Sequence, residues 1–152
     1  MPARRSLFLP WLLAFKALRT PVAFGVSAIV ENEAGRVLLV RQRYMPGWHL
    51  PGGGVGRGEP PEQAVLRELR EEVGLTSAST PVLLGLYTRA VGVATNVVAL
   101  YRVPAARIAF RPNFEIAEIL WVDPMEPPQD GTPGTLRRLA ELRGESAQSS
   151  YW

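Results

Sequence analysis

The chain has 152 residues, 47% of them apolar and 20% charged, which suits one globular domain with a proper core and argues against a disordered polymer. It has no cysteine, so disulfides, thiolate metal sites and cysteine nucleophiles are excluded, and a reducing cytoplasm is the expected setting. The net charge is +3, and every basic residue except Lys16 is an arginine, scattered rather than gathered into the blocks that nucleic-acid-binding arms use. Arginine suits bidentate phosphate contacts, so the expected partner is a phosphorylated small molecule rather than a nucleic acid.

Residues 4–19 (RRSLFLPWLLAFKALR) open the chain with an apolar run between basic residues. The run Leu7–Phe15 is too short to span a bilayer. Pro10 interrupts it, Lys16 and Arg19 follow it, and no small-x-small cleavage site appears, which argues against a signal peptide. The expectation is a helix that packs on the domain or on a second subunit, the latter giving a homodimer. Peripheral membrane contact through Phe8, Trp11 and Phe15 is the alternative. The chain thus divides into an N-terminal segment (1–20), a single domain (21–143) and a flexible tail (144–152).

Within the domain, Val22–Glu31 and Arg36–Arg43 read as two strands that form a hairpin about the turn Glu31–Gly35. After a break at Tyr44–Gly47, Trp48–Pro51 is extended and leads into Gly52-Gly53-Gly54. The helix Glu59–Val73 follows. Pro60 and Pro61 suit its first turn, and Glu59 and Glu62 its positive end; Val65, Leu66, Leu69 and Val73 form the buried stripe and Gly74 the cap. Pro81–Arg89 and Ala94–Val103 are strands, Pro104–Asn113 is irregular, Ile116–Val122 is a strand and Asp123–Gly131 a loop. Pro133–Arg143 is an amphipathic helix opened by Thr132 and Pro133. The pattern is α/β, a mixed sheet covered by a few helices.

Glu68, Glu71 and Glu72 stand at i, i+3 and i+4 and so share a helix face. Three like charges persist together where the face is solvated, with Arg67 and Arg70 as partners, or where a cation neutralises them. Glycines followed by carboxylates suggest oxygen ligands for a hard divalent cation. Magnesium prefers such ligands and bridges to substrate phosphates, whereas the absence of cysteine and the single histidine, His49, serve zinc poorly. Magnesium on carboxylates polarises a phosphoryl oxygen and activates water, a combination suited to a pyrophosphate linkage.

The spacing Gly53, Glu59, Arg67-Glu68-Leu69, Glu71-Glu72 and Gly74-Leu75 resembles the signature of the Nudix hydrolases at every defined position. The surrounding strand order is similar as well. The resemblance implies an α/β/α sandwich with a mixed sheet and hydrolysis of a nucleoside diphosphate linked to another moiety, X, with Mg2+ or Mn2+. It implies that Glu68, Glu71 and Glu72 ligate the metal directly or through water, that the carbonyl of Gly53 faces a metal, and that Arg67 holds the cluster by ion pairing. Glu68 would act as general base unless a later loop supplies one, for which Glu115 is the candidate. Glu118 is expected in a structural ion pair. Glu59 would join the metal network or stabilise the helix start.

Outside this stretch, Arg41 and Arg43 alternate on one strand and are candidate phosphate contacts. Trp48 and Tyr44 either stack on a base or fill the core. His49 reads as a packed or surface residue. Two rival functions are a ligand-binding module without catalysis and a membrane- or nucleic-acid-associated protein, the latter suggested by the N-terminal segment and a pI of about 9.8.

Overall fold

Apolar side chains alternate along the central strands, so each strand feeds two cores at once. A computed structural model describes residues 8–152. Its elements are α1 (Phe8–Arg19), β1 (Val22–Val30), β2 (Val37–Gln42), β3 (Trp48–His49), β4 (Gly52–Gly54) and α2 (Pro61–Val73). They continue with β5 (Leu75–Ser77), β6 (Val82–Val91), β7 (Ala94–Val103), β8 (Arg107–Ile108), β9 (Ile116–Val122) and α3 (Pro133–Leu142). One sheet has the order β4-β1-β7-β6, a second β3-β2-β9, and β5 pairs with β8. The first sheet is mixed: β1 runs parallel to β7 and antiparallel to β4, and β7 antiparallel to β6.

The first core gathers Val26, Ala28 and Val30 of β1, Leu38 and Val40 of β2, Ala99, Tyr101 and Val103 of β7, and Val65, Leu69 and Val73 of α2. The intervening residues Ile29, Val37, Leu39 and Leu100 form the second core with Trp48, Tyr87 and Leu139 of α3. Sheets between α2 and α3 make an α/β/α sandwich, the expected fold class. Burial of the apolar stripes is what holds α2 and α3 in place, since each exposed methylene moved into a core contributes about 0.8 kcal/mol.

Four expectations are corrected. The hairpin is absent as a paired unit: β1 and β2 lie in different sheets, and their only backbone pairing is the single Glu31–Val37 bridge beside the turn. Both edges of β1 are taken by β4 and β7, and both edges of β2 by β3 and β9. Residues 4–7 of the N-terminal segment lie outside the described residues. From Pro10 onward α1 is exposed, which removes packing on the domain from that expectation. Pro104–Asn113 contains β8, which pairs with β5 just after the helix cap.

The fourth correction concerns residues 144–152, which are tied down rather than loose. Thr88 on β6 donates its N–H to Ser150 O at 2.9 Å and accepts from Trp152 N–H at 3.0 Å. Trp152 meets Tyr87 edge to face with centroids 5.8 Å apart. Beneath them Arg138, fully buried, pairs with Glu141 at 2.7 Å and lies 4.0 Å from the Tyr87 ring centroid. The aromatic tip supplies the apolar contact that docks this polar stretch, and Tyr151 O accepts from Arg138 at 3.1 Å, so the guanidinium that the tail covers is buried with partners. Trp152→Ala should therefore lower the unfolding free energy by about 2 kcal/mol, read as a lower urea midpoint; a midpoint equal to wild type would mean the tail adds nothing to the fold.

Candidate metal and phosphate site

The helix that carries the carboxylates starts and stops sharply. Pro61 occupies its first position, Glu62 lies in its first turn, and Gly74 caps its end in the left-handed conformation with φ 69°. Leu69 and Val73 anchor it to the first core, which fixes the rotation of its other faces. Its partner is β4, whose glycines let the main chain approach the carboxylates. A side chain at Gly53 would place its Cβ 2.3 Å from the Glu68 carboxyl carbon, so any larger residue would push the Glu68 carboxylate out of this position.

Arg67 sits at the centre. Its guanidinium donates to both oxygens of Glu59 at 2.8 Å each, to Glu68 at 2.7 Å, to Glu71 at 3.3 Å and to the carbonyl of Gly54 at 2.9 Å. This planar fork suits carboxylate pairs in a way that a lysine ammonium does not. The Arg67 ion pair, then the Gly56 amide, hold the Glu59 carboxyl down at about 2. Glu59 bonds Gly56 N–H at 2.8 Å, so it closes the loop before the helix as well as clamping Arg67.

The three clustered carboxylates diverge in environment. Glu71 is open to solvent, with a side chain 60% exposed, Glu68 is largely covered, and Glu72 is buried at 4% exposure. Glu72 accepts the Gly52 N–H at 2.9 Å. Burial pushes its carboxyl up to about 7, the Gly52 amide pulls it back, and the charges of Glu68, Glu115 and Glu71 raise it further. Glu115 thus stands within electrostatic reach of the cluster. Asn113 brings it there: its amide donates to Glu72 O at 2.9 Å and its oxygen accepts from Glu115 N–H at 3.0 Å and Ile116 N–H at 2.8 Å. Asn113 was missed in the sequence, where a single asparagine in an irregular stretch carries no distinguishing signal.

The donor set fits a hard divalent cation: all the candidate side-chain donors are oxygens, the negative charge is in excess, and Glu72 is a buried acid crowded by like charges. Among the described residues, no three acidic side chains already converge on one point. The physical reason is visible in Arg67, which holds Glu68 and Glu71, and in Gly52, which holds Glu72.

Gly52–Gly54 also border a cleft of about 720 Å³. Phe24, Gln42, His49, Arg89, Arg137 and Trp152 are among the residues that line it. Arg41, Arg43 and Trp48, the expected substrate contacts, are not among its lining residues. Arg41 stacks 4.3 Å from the Trp48 ring centroid and pairs with Asp130 at 3.1 Å and Glu118 at 3.6 Å. Arg43 donates to Asn113 O at 2.6 Å, which fixes the Glu115 loop. Trp48 is 7% exposed and packs in the second core. His49 bonds Pro46 O at 3.0 Å. The cleft residues come from β1, β2, β3–β4, the β6–β7 pair, the start of α3 and the C-terminal end, so no local pattern in the sequence gathers them.

A sandwich with this loop and clamped helix defines the fold and site of one family, and comparison with known proteins agrees. The NUDIX domain pattern matches residues 21–142, and the chain belongs to the Nudix family. A Bacillus subtilis (strain 168) protein with the provisional name of an 8-oxo-dGTP diphosphatase is 43% identical over 65 residues, 43% of each chain. An RNA pyrophosphohydrolase of Pseudomonas paraeruginosa (strain DSM 24068 / PA7) is 45% identical over 59 residues, 39% of this chain and 37% of the relative. This chain therefore matches less than half the length of either relative. A MutT NUDIX hydrolase from Burkholderia pseudomallei superposes with a TM-score of 0.69 at 26% identity, covering 80% of this chain and 98% of that one. Nudix hydrolases generally use divalent metal ions.

A carboxyl held above its usual value binds its proton more tightly in the folded protein than in the unfolded chain. For metal-free protein, the Glu72 contribution is intact below about pH 4.5 and declines as the pH rises to about 7. Urea midpoints of wild type should fall across that window, and Glu72→Gln should flatten the fall; parallel profiles for the two proteins would contradict the assigned burial of charge.

Proposed function

We propose that this protein is a magnesium- or manganese-dependent pyrophosphohydrolase that cleaves a nucleoside diphosphate linked to X, such as a nucleoside triphosphate or ADP-ribose. The observation that carries the reading is the Arg67 clamp, which holds Glu59, Glu68 and Glu71 against the Gly52–Gly54 backbone at the edge of the cleft. A structural helix would have little use for three acids around one arginine plus a fourth acid buried beside them. The names of the two relatives, one provisionally an 8-oxo-dGTP diphosphatase and one an RNA pyrophosphohydrolase, point to the same bond type. A cytoplasmic setting belongs to this reading and rests on the absence of cysteine.

In this mechanism Glu68, Glu71 and Glu72, with the Gly53 carbonyl, would hold the metal, which would supply Lewis acidity toward a phosphoryl oxygen and charge to offset the departing phosphate. Arg67 keeps Glu68 and Glu71 on the side of the helix that faces the Gly52–Gly54 strand. Arg89 and Arg137 on the cleft wall offer cationic groups to the substrate's phosphates. Glu68 takes the proton of the attacking water as the water oxygen bonds to one phosphorus and the anhydride P–O bond breaks. Glu115, held by Asn113, is the second acid in reach of the same site.

A panel of nucleotide diphosphate conjugates, assayed with magnesium and with products identified by mass, tests this reading. Turnover should vanish with chelator. Glu68→Gln should lower kcat by about 10²-fold or more, with an unchanged unfolding midpoint separating chemistry from folding. Turnover by Glu68→Gln at the wild-type rate would remove Glu68 from the mechanism, and no turnover on any conjugate would favour a binding module. Arg67→Lys should lower activity roughly tenfold, because an ammonium cannot span Glu59 and Glu68 together.

A further inference from the structure

Two exposed apolar features lie side by side at one end of the first sheet, away from any core. The first is α1. Trp11, Ala14, Phe15 and Leu18 stand at i, i+3, i+4 and i+7 and so form one stripe. Trp11 is 78% and Leu18 83% exposed, and Leu12, Leu13 and Phe15 are exposed as well. The second is the tip of the β6–β7 hairpin, Val91-Gly92-Val93, where Val93 is 95% exposed. The backbone ties the two together. Thr95 N–H donates to Pro21 O at 3.1 Å, and the exposed Val22, which follows α1, pairs in register with Thr95.

The charge carried by these two segments has one sign. No Asp or Glu precedes Glu31, and none lies between Glu72 and Glu115. Lys16 and Arg19 are on α1 and Arg89 is on β6 near the tip; the sequence adds Arg4 and Arg5, outside the described residues. The Arg19 guanidinium lies 4.8 Å from the Phe15 ring centroid, so aromatic and cation project together, as interfacial side chains do when the head stays in water.

This combination selects among occupants. α1 has 12 residues, about 18 Å of helix, well short of the roughly 30 Å hydrocarbon core, and no described helix is long and apolar enough to cross a membrane. A second copy docked through the same face would bring Lys16, Arg19 and Arg89 toward like charges, with no acid in either segment to answer them. An anionic bilayer supplies both a broad apolar layer and the opposite charge.

We infer that α1 and the Val91–Val93 hairpin tip form one composite surface that seats this protein on an anionic lipid interface. The surface adjoins the cleft, because Phe24 and Arg89, which line it, lie on the strands that lead away from Val22 and Val91. The protein would therefore work with its cleft beside the membrane rather than in free solution.

Flotation of the full chain with phosphatidylcholine vesicles, with and without phosphatidylglycerol, tests the inference. Wild type should float only with the anionic vesicles, and added salt should release it. Trp11→Ser with Leu18→Ser should lower vesicle affinity about tenfold or more, and Val93→Ser about threefold. Lys16→Glu with Arg19→Glu should lower it about tenfold on anionic vesicles. All these side chains are exposed, so thermal unfolding should not change. Failure to float, or equal flotation of wild type and all variants, would overturn the inference. So would a concentration-dependent dimer in sedimentation that Trp11→Ser with Leu18→Ser abolishes while vesicles go unbound, since the face would then be a subunit interface.

Discussion

Arg67 meets Glu59, Glu68 and Glu71 and the carbonyl of Gly54 with one guanidinium. Without it, four acids on one turn and its neighbouring loop would repel one another in a half-buried setting where charge is only partly screened. With it, the acids have fixed directions. The clamp works because two other features support it. Gly53 lets the strand backbone lie against the Glu68 carboxylate, and Leu69 and Val73 lock the helix from the opposite side. Glu72 remains outside the clamp, buried and tied to the Gly52 amide, and it carries the largest unrelieved cost in the site. The metal-free protein is thus balanced toward acceptance of a cation: the interaction that organises the acids leaves a net negative charge in place.

The sandwich serves this arrangement by fixing the helix and the glycine strand to one sheet. β1 is paired on both sides, with β4 along one edge and β7 along the other. The Glu115 loop comes from a different sheet and reaches the site through β9, with Arg43 and Asn113 as its struts. The C-terminal segment closes the far side. Trp152 contacts Tyr87, shields Arg138 and borders the cleft, so the last residues serve packing and the shape of the cleft wall together.

The parts that could be read from sequence are those set by local periodicity. The stripe on α2, the Gly74 cap, β9 and the Thr132-Pro133 start of α3 all follow from spacing and capping chemistry within a few residues. The carboxylate spacing was legible for the same reason, although one shared face became three environments, since rotation toward the core buries Glu72 and leaves Glu71 in water. What was not legible depends on long-range pairing. Two adjacent apolar strands look like a hairpin until their edges are claimed by β4, β7, β3 and β9. Arg41 and Arg43 looked free for phosphate because Glu118, Asp130 and Asn113 lie far along the chain. The tail looked loose because its anchor, Arg138 beneath Tyr87, is an arginine whose burial no local pattern announces.

The central claim is that these acids are arranged to hold a divalent cation. Titrating Mn2+ into metal-free protein, with the free ion followed by its paramagnetic resonance signal, addresses it directly. The account predicts saturable uptake by wild type that is strongly weakened in Glu68→Gln and in Glu72→Gln, accompanied by a rise in thermal stability with ion concentration. Absence of uptake, or uptake equal in wild type and both variants, would contradict it.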